Sequence, residues 1–340
     1  MAIKVAIVGL GPRGHDWIKE VRSTKGFELG VVVDVNETVL ARTSETYKIA
    51  KASCYDNLEE ALLRNQDCAA VLVTTPATQH FNDCRTALSH SKAVFVEKPF
   101  TTSLAEANEL VSVADKKGIP LMVAQNFRYL RVNRAVRQVV EEGKLGRIGM
   151  VVAQYYRGAH HMSPALKEAT QNVLWGVGVH HLDAMRYVLE SEVNNVMFDD
   201  FTQQWTNLPK GASLRAMLSF ENGVQALYTA TYESVGHDFF ERGQEFYARY
   251  MGELATLHVF QRWLLFCQKG KLPRVIRRGK RITTEEQVLL SQFERAITLG
   301  EQTGTTGRDN LQTMAVLEAC LRSLADKKWI NPQELLHELP

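Results

Sequence analysis

A glycine-rich turn directly after the first apolar run limits the fold of this chain more than any other feature. The run Ile3–Val8 is followed at once by the turn Gly9–Gly14, which opens an amphipathic stretch. In a βαβ unit such glycines permit a tight turn, a close approach of the backbone to a pyrophosphate and close helix packing. The next apolar run ends at Asp34, about 20 residues beyond the turn, where a ribose-binding acid is expected. The sequence therefore predicts a dinucleotide site formed by Gly9, Gly11, Pro12, Arg13, Gly14 and Asp34.

The residues around Asp34 favour NAD over NADP. A carboxylate accepts hydrogen bonds from the ribose hydroxyls and repels a 2′-phosphate, and Val35 and Asn36 provide no cation for that phosphate. Arg13 weakens the preference, because a guanidinium beside the turn can bind a phosphate of either cofactor. We expect NAD as the cofactor, with NADP less favoured.

Residues 1–124 alternate short apolar runs with amphipathic stretches, which is typical of βαβ units on a parallel sheet. The predicted strands are Ile3–Val8, Leu29–Val33, Ala69–Thr74, Ala93–Val96 and Pro120–Ala124. Asn57 and Ser103 each precede a glutamate by three residues, a capping pattern that predicts helix starts between strands. The pattern indicates an N-terminal Rossmann domain over residues 1–124.

Residues 125–340 have a different pattern of longer runs separated by turns. These runs are Met150–Tyr156, Ser213–Phe220, Val224–Thr231, Phe246–Met251 and Ala255–Phe260. Apolar residues at helical spacing predict closing helices over Glu285–Leu299 and Asn310–Asp326. The predicted fold class is therefore α/β, with the Rossmann domain followed by an α+β domain that has an open, mostly antiparallel sheet.

Composition and charge narrow the class of protein. Hydrophobic residues make up 45% of the chain and charged residues 23%, as in ordinary globular proteins. The five cysteines form no CxxC pair, which favours reduced thiols in a cytoplasm over disulfides or a zinc site. Met1 leads directly into a strand and no apolar stretch reaches the length of a bilayer span, so we expect neither secretion nor a membrane partner.

A formal net charge of +2 gives no general attraction to nucleic acid. Seven of the residues from 269 to 281 are nevertheless Lys or Arg. This run lacks the interleaved aromatic residues that stack on bases, so we interpret it as a solvated loop or hairpin. An anion site is the alternative interpretation.

Polar residues after two buried runs mark the expected catalytic end of the first domain. In an open α/β sheet, ligands bind beyond the carboxyl ends of the strands. The residues that we predict to contact the cofactor there are Thr74, Thr75, Pro76, His80, Glu97 and Lys98. A lysine that is partly desolvated beside a cationic nicotinamide has a lowered pKa, as a general acid or base requires. We predict that Lys98 is catalytic and contacts both cofactor and substrate, whereas a surface lysine is the alternative.

These motifs resemble those of the Gfo/Idh/MocA family of sugar and polyol dehydrogenases. The resemblance rests on GLGPRG at 9–14, TPATQH at 75–80 and EKP at 97–99, and it continues through the G-x-H-x-x-D segment at 178–183 and through 304–329. It implies NAD-linked hydride transfer between nicotinamide and a secondary alcohol of a sugar, inositol or related cyclic polyol. It also implies that residues 125–340 bind this substrate and assemble a homodimer or homotetramer through their sheet, and that Lys98 and His180 are catalytic.

One position departs from the family pattern. Many members have an aspartate four residues before the histidine, and this chain has Gly176 there. Either Lys98 and His180 suffice, with Glu168 or the substrate's own polar groups in place of the aspartate, or catalysis is reduced or lost. The alternative function is therefore a nucleotide-binding sensor or scaffold of the same fold.

The remaining candidates are substrate contacts in the second domain. They are Arg128, Tyr156, His160, Trp175, His180 and Asp183. Core packing is an equal alternative for the tyrosine, and Trp175 either stacks on a sugar ring or fills an interface. Adjacent histidines rarely bind one ion together, so we expect no metal at His160–His161 or His180–His181.

Overall fold

The computed structural model describes residues 2–158, 162, 164–235, 244–260, 263–277 and 283–339. Six of the strands in these ranges form a parallel sheet in the order β3-β2-β1-β4-β5-β6. They are β1 Ile3–Val8, β2 Phe27–Val33, β3 Cys54–Tyr55, β4 Ala70–Val73, β5 Ala93–Val96 and β6 Leu121–Val123. The helices between them are α1 Pro12–Ser23, α2 Glu37–Tyr47, α3 Leu58–Arg64, α4 Ala77–Ser89 and α5 Leu104–Lys117. This is the strand order of a Rossmann sheet. The chain first adds β2 and β3 on one side of β1 and then crosses over to add β4, β5 and β6 on the other side.

A second sheet follows, with eight strands in the described ranges. They are β7 Ile148–Arg157, β8 Val193–Phe201, β9 Ser213–Phe220, β10 Gln225–Thr231, β11 Gln244–Gly252, β12 Ala255–Phe260, β13 Trp263–Gln268 and β14 Arg274–Ile276. Their order is β14-β13-β12-β11-β7-β10-β9-β8, antiparallel except for the parallel pair β7 and β10. The remaining helices in the described ranges are α6 Arg131–Glu141, α7 Pro164–Glu168, α8 Val179–Leu189, α9 Glu285–Leu299, α10 Gly307–Asp326 and α11 Pro332–His337.

The chain forms two compact units. The first contains residues up to Asn126 together with Thr283–Met314, and the second contains Phe127–Ile282 with Ala315–Pro340. This division differs from the predicted one, which placed everything after residue 124 in the second domain. The physical reason is that α9 packs on the first sheet, where the buried ring of Phe293 lies 5.5 Å from that of Phe95. Periodicity predicts a helix at 285–299, but it does not specify the sheet on which that helix packs.

The fold class is as predicted, and the local signals explain why. Strands β4 and β5 are buried at every position, as strands covered on both faces must be. The side chains of Asn57 and Ser103 cap α3 and α5 by accepting the backbone N–H of Glu60 and Glu106. Among the helices in the described ranges, none combines the length and apolar character that a bilayer span requires.

Four strands had no prediction, namely β3, β8, β13 and β14. Strand β8 contains polar residues such as Asn194 and Asp199 that obscure its alternation, and β3 has only two residues. Strand β14 lies in the basic run and pairs with β13, which ends just before the run. The described part of the run therefore belongs to a hairpin, in agreement with the expected loop or hairpin. Arg278, Lys280 and Arg281 of that run lie outside the described residues.

Candidate active site

The glycine turn is shaped by close backbone packing at two positions and by open space at a third. Gly9 has a φ of +87°, and a β-carbon there would lie 2.5 Å from the amide nitrogen of Thr75. A β-carbon on Gly14 would collide with the carbonyl oxygen of Gly9, whereas one on Gly11 would meet no atom within 4 Å. Gly9 and Gly14 therefore hold the turn against β4 and α1. The open side at Gly11, at the N-terminus of α1, is where a pyrophosphate has room to approach.

Asp34 lies at the end of β2 with both carboxylate oxygens oriented by backbone. Oδ2 accepts the N–H of Leu10 at 2.7 Å, and Oδ1 accepts the N–H of Asn36 at 2.9 Å. Because each carboxylate oxygen can accept more than one hydrogen bond, a ribose hydroxyl can still bind. Asn36 caps α2 through its own side chain, so it is held in place beside Asp34. The residues fit a dinucleotide in the way that the sequence predicted.

Arg13 does not extend toward a phosphate position. Its Nε donates to Oε1 of Glu97 at 2.7 Å, and the same oxygen accepts the indole N–H of Trp17 at 2.8 Å. Glu97 is buried, and its other carboxylate oxygen accepts the backbone N–H of Lys98 at 3.1 Å. Arg13 and Glu97, both predicted to contact the cofactor, thus form a network in which the carboxylate is buried and the guanidinium is partly exposed, and which anchors the segment after β5.

Lys98 follows β5 at the carboxyl edge of the first sheet, where the sequence placed it. Its side chain is half-buried, and this burial lowers the pKa of its amine from 10.5 to about 8. The carboxylate of Glu97 opposes the shift, and the guanidinium of Arg13 adds to it. The unprotonated amine, which is the state that a general base needs, is therefore far more populated near neutral pH than in an ordinary lysine.

The segment after β4 lies against the same edge. Thr74 donates its hydroxyl to the carbonyl oxygen of Gly9 at 2.5 Å, which ties this segment to the glycine turn. Thr75 donates its hydroxyl to Asp83 at 2.7 Å, and Pro76 directly precedes α4. His80 is almost fully buried. The predicted residues after β1, β4 and β5 are therefore brought together at one edge of the sheet.

In the second unit, His180 lies in the first turn of α8 and is buried. Its ring stacks on Phe127, with centroids 4.0 Å apart and planes 11° apart. The neighbouring His181 lies deeper, where its Nδ1 is 2.7 Å from the hydroxyl of Tyr228. Burial lowers the pKa of His181 to about 3, so this ring stays neutral and has a packing role. The pair divides into one candidate for chemistry and one core residue.

Two predicted substrate residues bind each other instead. Arg128 forms a bidentate ion pair with Asp183, with both nitrogen–oxygen distances 2.7 Å. Both side chains are buried, and Arg186 also lies 3.5 Å from the carboxylate. Arg128 and Asp183 are separated by 55 residues in the sequence, and no motif indicates that they pair. This pairing gives both residues a structural role, and their contact with substrate stays a prediction.

The position of Tyr156 follows from strand alternation, and its contact with substrate stays a prediction. Side chains alternate between the faces of a strand, and its neighbour Tyr155 contacts His181 of α8 with ring centroids 5.1 Å apart. Tyr156 therefore points to the opposite face of the sheet, where its ring lies 6.5 Å from that of Tyr247. It faces away from α8 and from His180. Trp175 is half-buried in the helical turn 174–178, and His160 lies outside the described residues.

The space beside Gly176 is filled by a residue that the sequence analysis missed. A β-carbon on Gly176 would lie 2.6 Å from the hydroxyl oxygen of Tyr232, a buried residue that directly follows β10. Arg157 donates a hydrogen bond to that hydroxyl, although burial is the larger effect and raises the pKa of Tyr232 well above its ordinary value. A neutral phenol therefore occupies the space beside Gly176, the sequence position at which many family members have an aspartate. The sequence signal for such a replacement was limited to Gly176, which stands where many family members have an aspartate.

Comparison with known proteins adds to this geometry. Residues 3–125 match the model of an oxidoreductase family with an NAD-binding Rossmann fold, and residues 133–272 match the GFO/IDH/MocA C-terminal domain. The chain belongs to the Gfo/Idh/MocA oxidoreductase family.

Several relatives of this Gfo/Idh/MocA protein have named activities. It is 24% identical to D-apiose dehydrogenase of Rhizobium rhizogenes over 97% of both chains. It is 25% identical to inositol 2-dehydrogenase of Salmonella typhimurium over 58% of this chain and 57% of that one. Its fold is similar to that of an oxidoreductase from Agrobacterium radiobacter solved with NAD+, L-tartaric acid and magnesium, with a TM-score of 0.88, 22% identity and coverage of 98% and 100%. The protein is therefore an NAD-binding oxidoreductase of this family.

Proposed function

We propose that this oxidoreductase is a dehydrogenase that transfers hydride between nicotinamide and a secondary alcohol of a sugar, inositol or related cyclic polyol. The observation that carries the proposal is Lys98, an amine with a pKa of about 8 at the edge of a sheet that also presents a dinucleotide turn. The relatives named D-apiose dehydrogenase and inositol 2-dehydrogenase support this substrate class. Since the named relatives are dehydrogenases, a non-catalytic sensor is the less favoured function.

NAD is the proposed cofactor. Gly11 and the N-terminus of α1 would hold its pyrophosphate, and Asp34 would hold its adenosine ribose. The negative charge of Asp34 disfavours a 2′-phosphate, and Arg13 is engaged by Glu97 and so adds no attraction for one. When bound, the nicotinamide supplies the carbon that accepts or returns hydride. We expect tighter binding of NADH than of NADPH in a fluorescence titration.

In the proposed mechanism, Lys98 acts as the acid–base group. Its unprotonated amine removes the proton of the substrate hydroxyl as hydride leaves the same carbon, and its protonated form returns the proton in the reverse direction. His180 hydrogen-bonds the reacting oxygen and relays the proton, and the Phe127 ring holds the plane of its imidazole. Because oxidation needs the free amine, kcat for oxidation should rise with pH through about 8 and level off above it.

The test compares two lysines that lie on either side of β5. Lys92 precedes β5, and its ammonium group donates to the carbonyl oxygen of Gln66, so Lys92→Met is a matched control for Lys98→Met. We would screen sugars, inositols and sugar acids by thermal shift of the NAD-loaded protein and then follow NADH absorbance. A hit that is turned over by wild type and Lys92→Met but not by Lys98→Met supports the mechanism. Equal turnover by all three proteins would refute it.

We also propose that the protein assembles as a homodimer or homotetramer through the second sheet. Cross-strand pairs on one face of this sheet are apolar and exposed, among them Leu227 with Met217 and Phe260 with Trp263. An exposed apolar sheet face of this kind is typical of a contact with another protein surface. Leu227→Lys should lower the mass measured by analytical ultracentrifugation, whereas Leu299→Lys, an exposed leucine of the first unit, should not. A wild-type monomer would contradict the proposal.

A further inference from the structure

Both ring nitrogens of His80 face carbonyl oxygens. Nδ1 lies 2.8 Å from the carbonyl oxygen of Pro99, and Nε2 lies 2.9 Å from that of Thr75. The side chain is 1% exposed, so water does not compete for either contact. Pro99 belongs to the segment after β5 that carries Lys98, and Thr75 belongs to the segment after β4. A single imidazole thus bridges the two segments of the candidate active site.

The chemistry of the two acceptors restricts the protonation of this ring. A carbonyl oxygen only accepts hydrogen bonds, and a neutral imidazole has a single N–H to donate. In the neutral ring, one nitrogen would therefore direct its lone pair at a carbonyl oxygen less than 3 Å away, in a buried place where an unmade hydrogen bond is costly. The imidazolium form has two N–H donors and satisfies both contacts.

The charged groups around the ring include a counterion. Asp83 lies three residues further on the same face of α4 and interacts electrostatically with His80. Burial raises the pKa of Asp83, and the hydroxyl of Thr75 opposes that rise by donating to its carboxylate. The N-terminal end of α4 acts against a cation, and Lys98 adjoins Pro99. The nearby carboxylate and the two carbonyl contacts together favour the cation, because hydrogen bonds and an opposite charge lower the cost of burying it.

We propose that His80 is a cationic clamp that fixes the segments after β4 and β5 to each other and thereby positions Lys98. The inference rests on the proposed function only for the role of Lys98. The backbone N–H of Lys98 donates to the carboxylate of Glu97. The carbonyl of the next residue, Pro99, accepts a hydrogen bond from His80, so the chain is held on both sides of the Lys98 side chain. His80 is a positioning residue rather than the cofactor contact that the sequence suggested, since both of its polar atoms already bind backbone.

The experiment compares His80→Gln with His90→Gln, a substitution just past the other end of α4, where the imidazole lies 3.2 Å from the exposed carboxylate of Glu59. Nitrogen-15 NMR of the wild-type protein should show protons on both ring nitrogens of His80. The pKa of Lys98, measured from the pH dependence of its reductive methylation, should be about 8 in wild type and in His90→Gln. In His80→Gln this pKa should rise toward 10.5, because the ammonium group is no longer held in a buried position.

Turnover gives a third readout. His80→Gln should lower kcat by roughly tenfold to a hundredfold, as small displacements of a catalytic group do, while KM for NAD changes little. A single protonated ring nitrogen would overturn the proposal, as would an unchanged Lys98 pKa and kcat in His80→Gln. The NMR and methylation readouts need no substrate. If they agree with expectation while no polyol is oxidised, the clamp stands and the proposed function fails.

Discussion

The contact between Gly176 and Tyr232 makes a quantitative prediction about stability. Gly176→Ala places a β-carbon 2.6 Å from the hydroxyl oxygen of the buried Tyr232, so one of the two residues must shift. Overpacking of this kind costs about 1–3 kcal/mol. Replacing a helical glycine by alanine returns up to about 1 kcal/mol. We therefore expect a net loss of about 0–3 kcal/mol in the free energy of unfolding.

The same substitution has a different effect once the hydroxyl is absent. In Tyr232→Phe, the nearest atoms to the new β-carbon are Leu166 Cδ1 at 3.3 Å and the ring Cε2 at 3.4 Å, which are contacts that small shifts accommodate. Gly176→Ala should then be neutral or stabilising by up to about 1 kcal/mol. The two substitutions should consequently be coupled by about 1–3 kcal/mol in favour of the double variant.

Equilibrium urea denaturation of the four proteins in the cycle measures this coupling. Tyr250→Phe removes another buried phenol hydroxyl of the second unit and provides the matched control cycle, in which the effects should add. Additivity of Gly176→Ala and Tyr232→Phe within about 0.5 kcal/mol would refute the reasoning. It would mean that Tyr232 does not occupy the space beside Gly176.

Three further predictions follow from the described contacts. Gly14→Ala should abolish NADH binding in a fluorescence titration, because its β-carbon collides with the Gly9 carbonyl; an unchanged Kd would contradict this account of the turn. Asp34→Ser should weaken NADH binding by about tenfold or more and NADPH binding less, since it removes a charged hydrogen-bond acceptor; equal losses for both cofactors would count against the proposed preference. Asp183→Asn should lower the free energy of unfolding by about 3–5 kcal/mol in urea, because it leaves the buried charge of Arg128 uncompensated, and a loss under 1 kcal/mol would argue against a tight pair.

The features that the sequence predicted correctly depend on neighbours along the chain. The glycine turn, the buried strands and the position of Lys98 at the end of β5 all follow from short segments whose pattern matches one type of structure. The carboxyl ends of parallel strands share one edge, so residues after β1, β4 and β5 meet there without further information. This is why most of the first unit's candidate site could be predicted.

The features that it could not predict depend on pairs of residues far apart. The bond of Arg128 to Asp183 and the contact of Tyr232 with Gly176 join different elements, and their residue types are equally compatible with ligand binding. The face that Tyr156 occupies could not be predicted, because alternation places successive tyrosines on opposite faces and the sequence does not state which face packs on α8. His80 was identified as a site residue, but its two carbonyl partners become visible only with coordinates.

The return of residues 283–314 to the first unit has a consequence for synthesis of the protein. A ribosome that has released β6 has produced every strand of the first sheet, yet the apolar surface around Phe95 stays uncovered until α9 emerges about 160 residues later. During that interval the partly built unit exposes a surface of the kind that chaperones bind. Both units therefore complete their folding together, near the end of translation, and removal of the last sixty residues or so should leave neither of them stable.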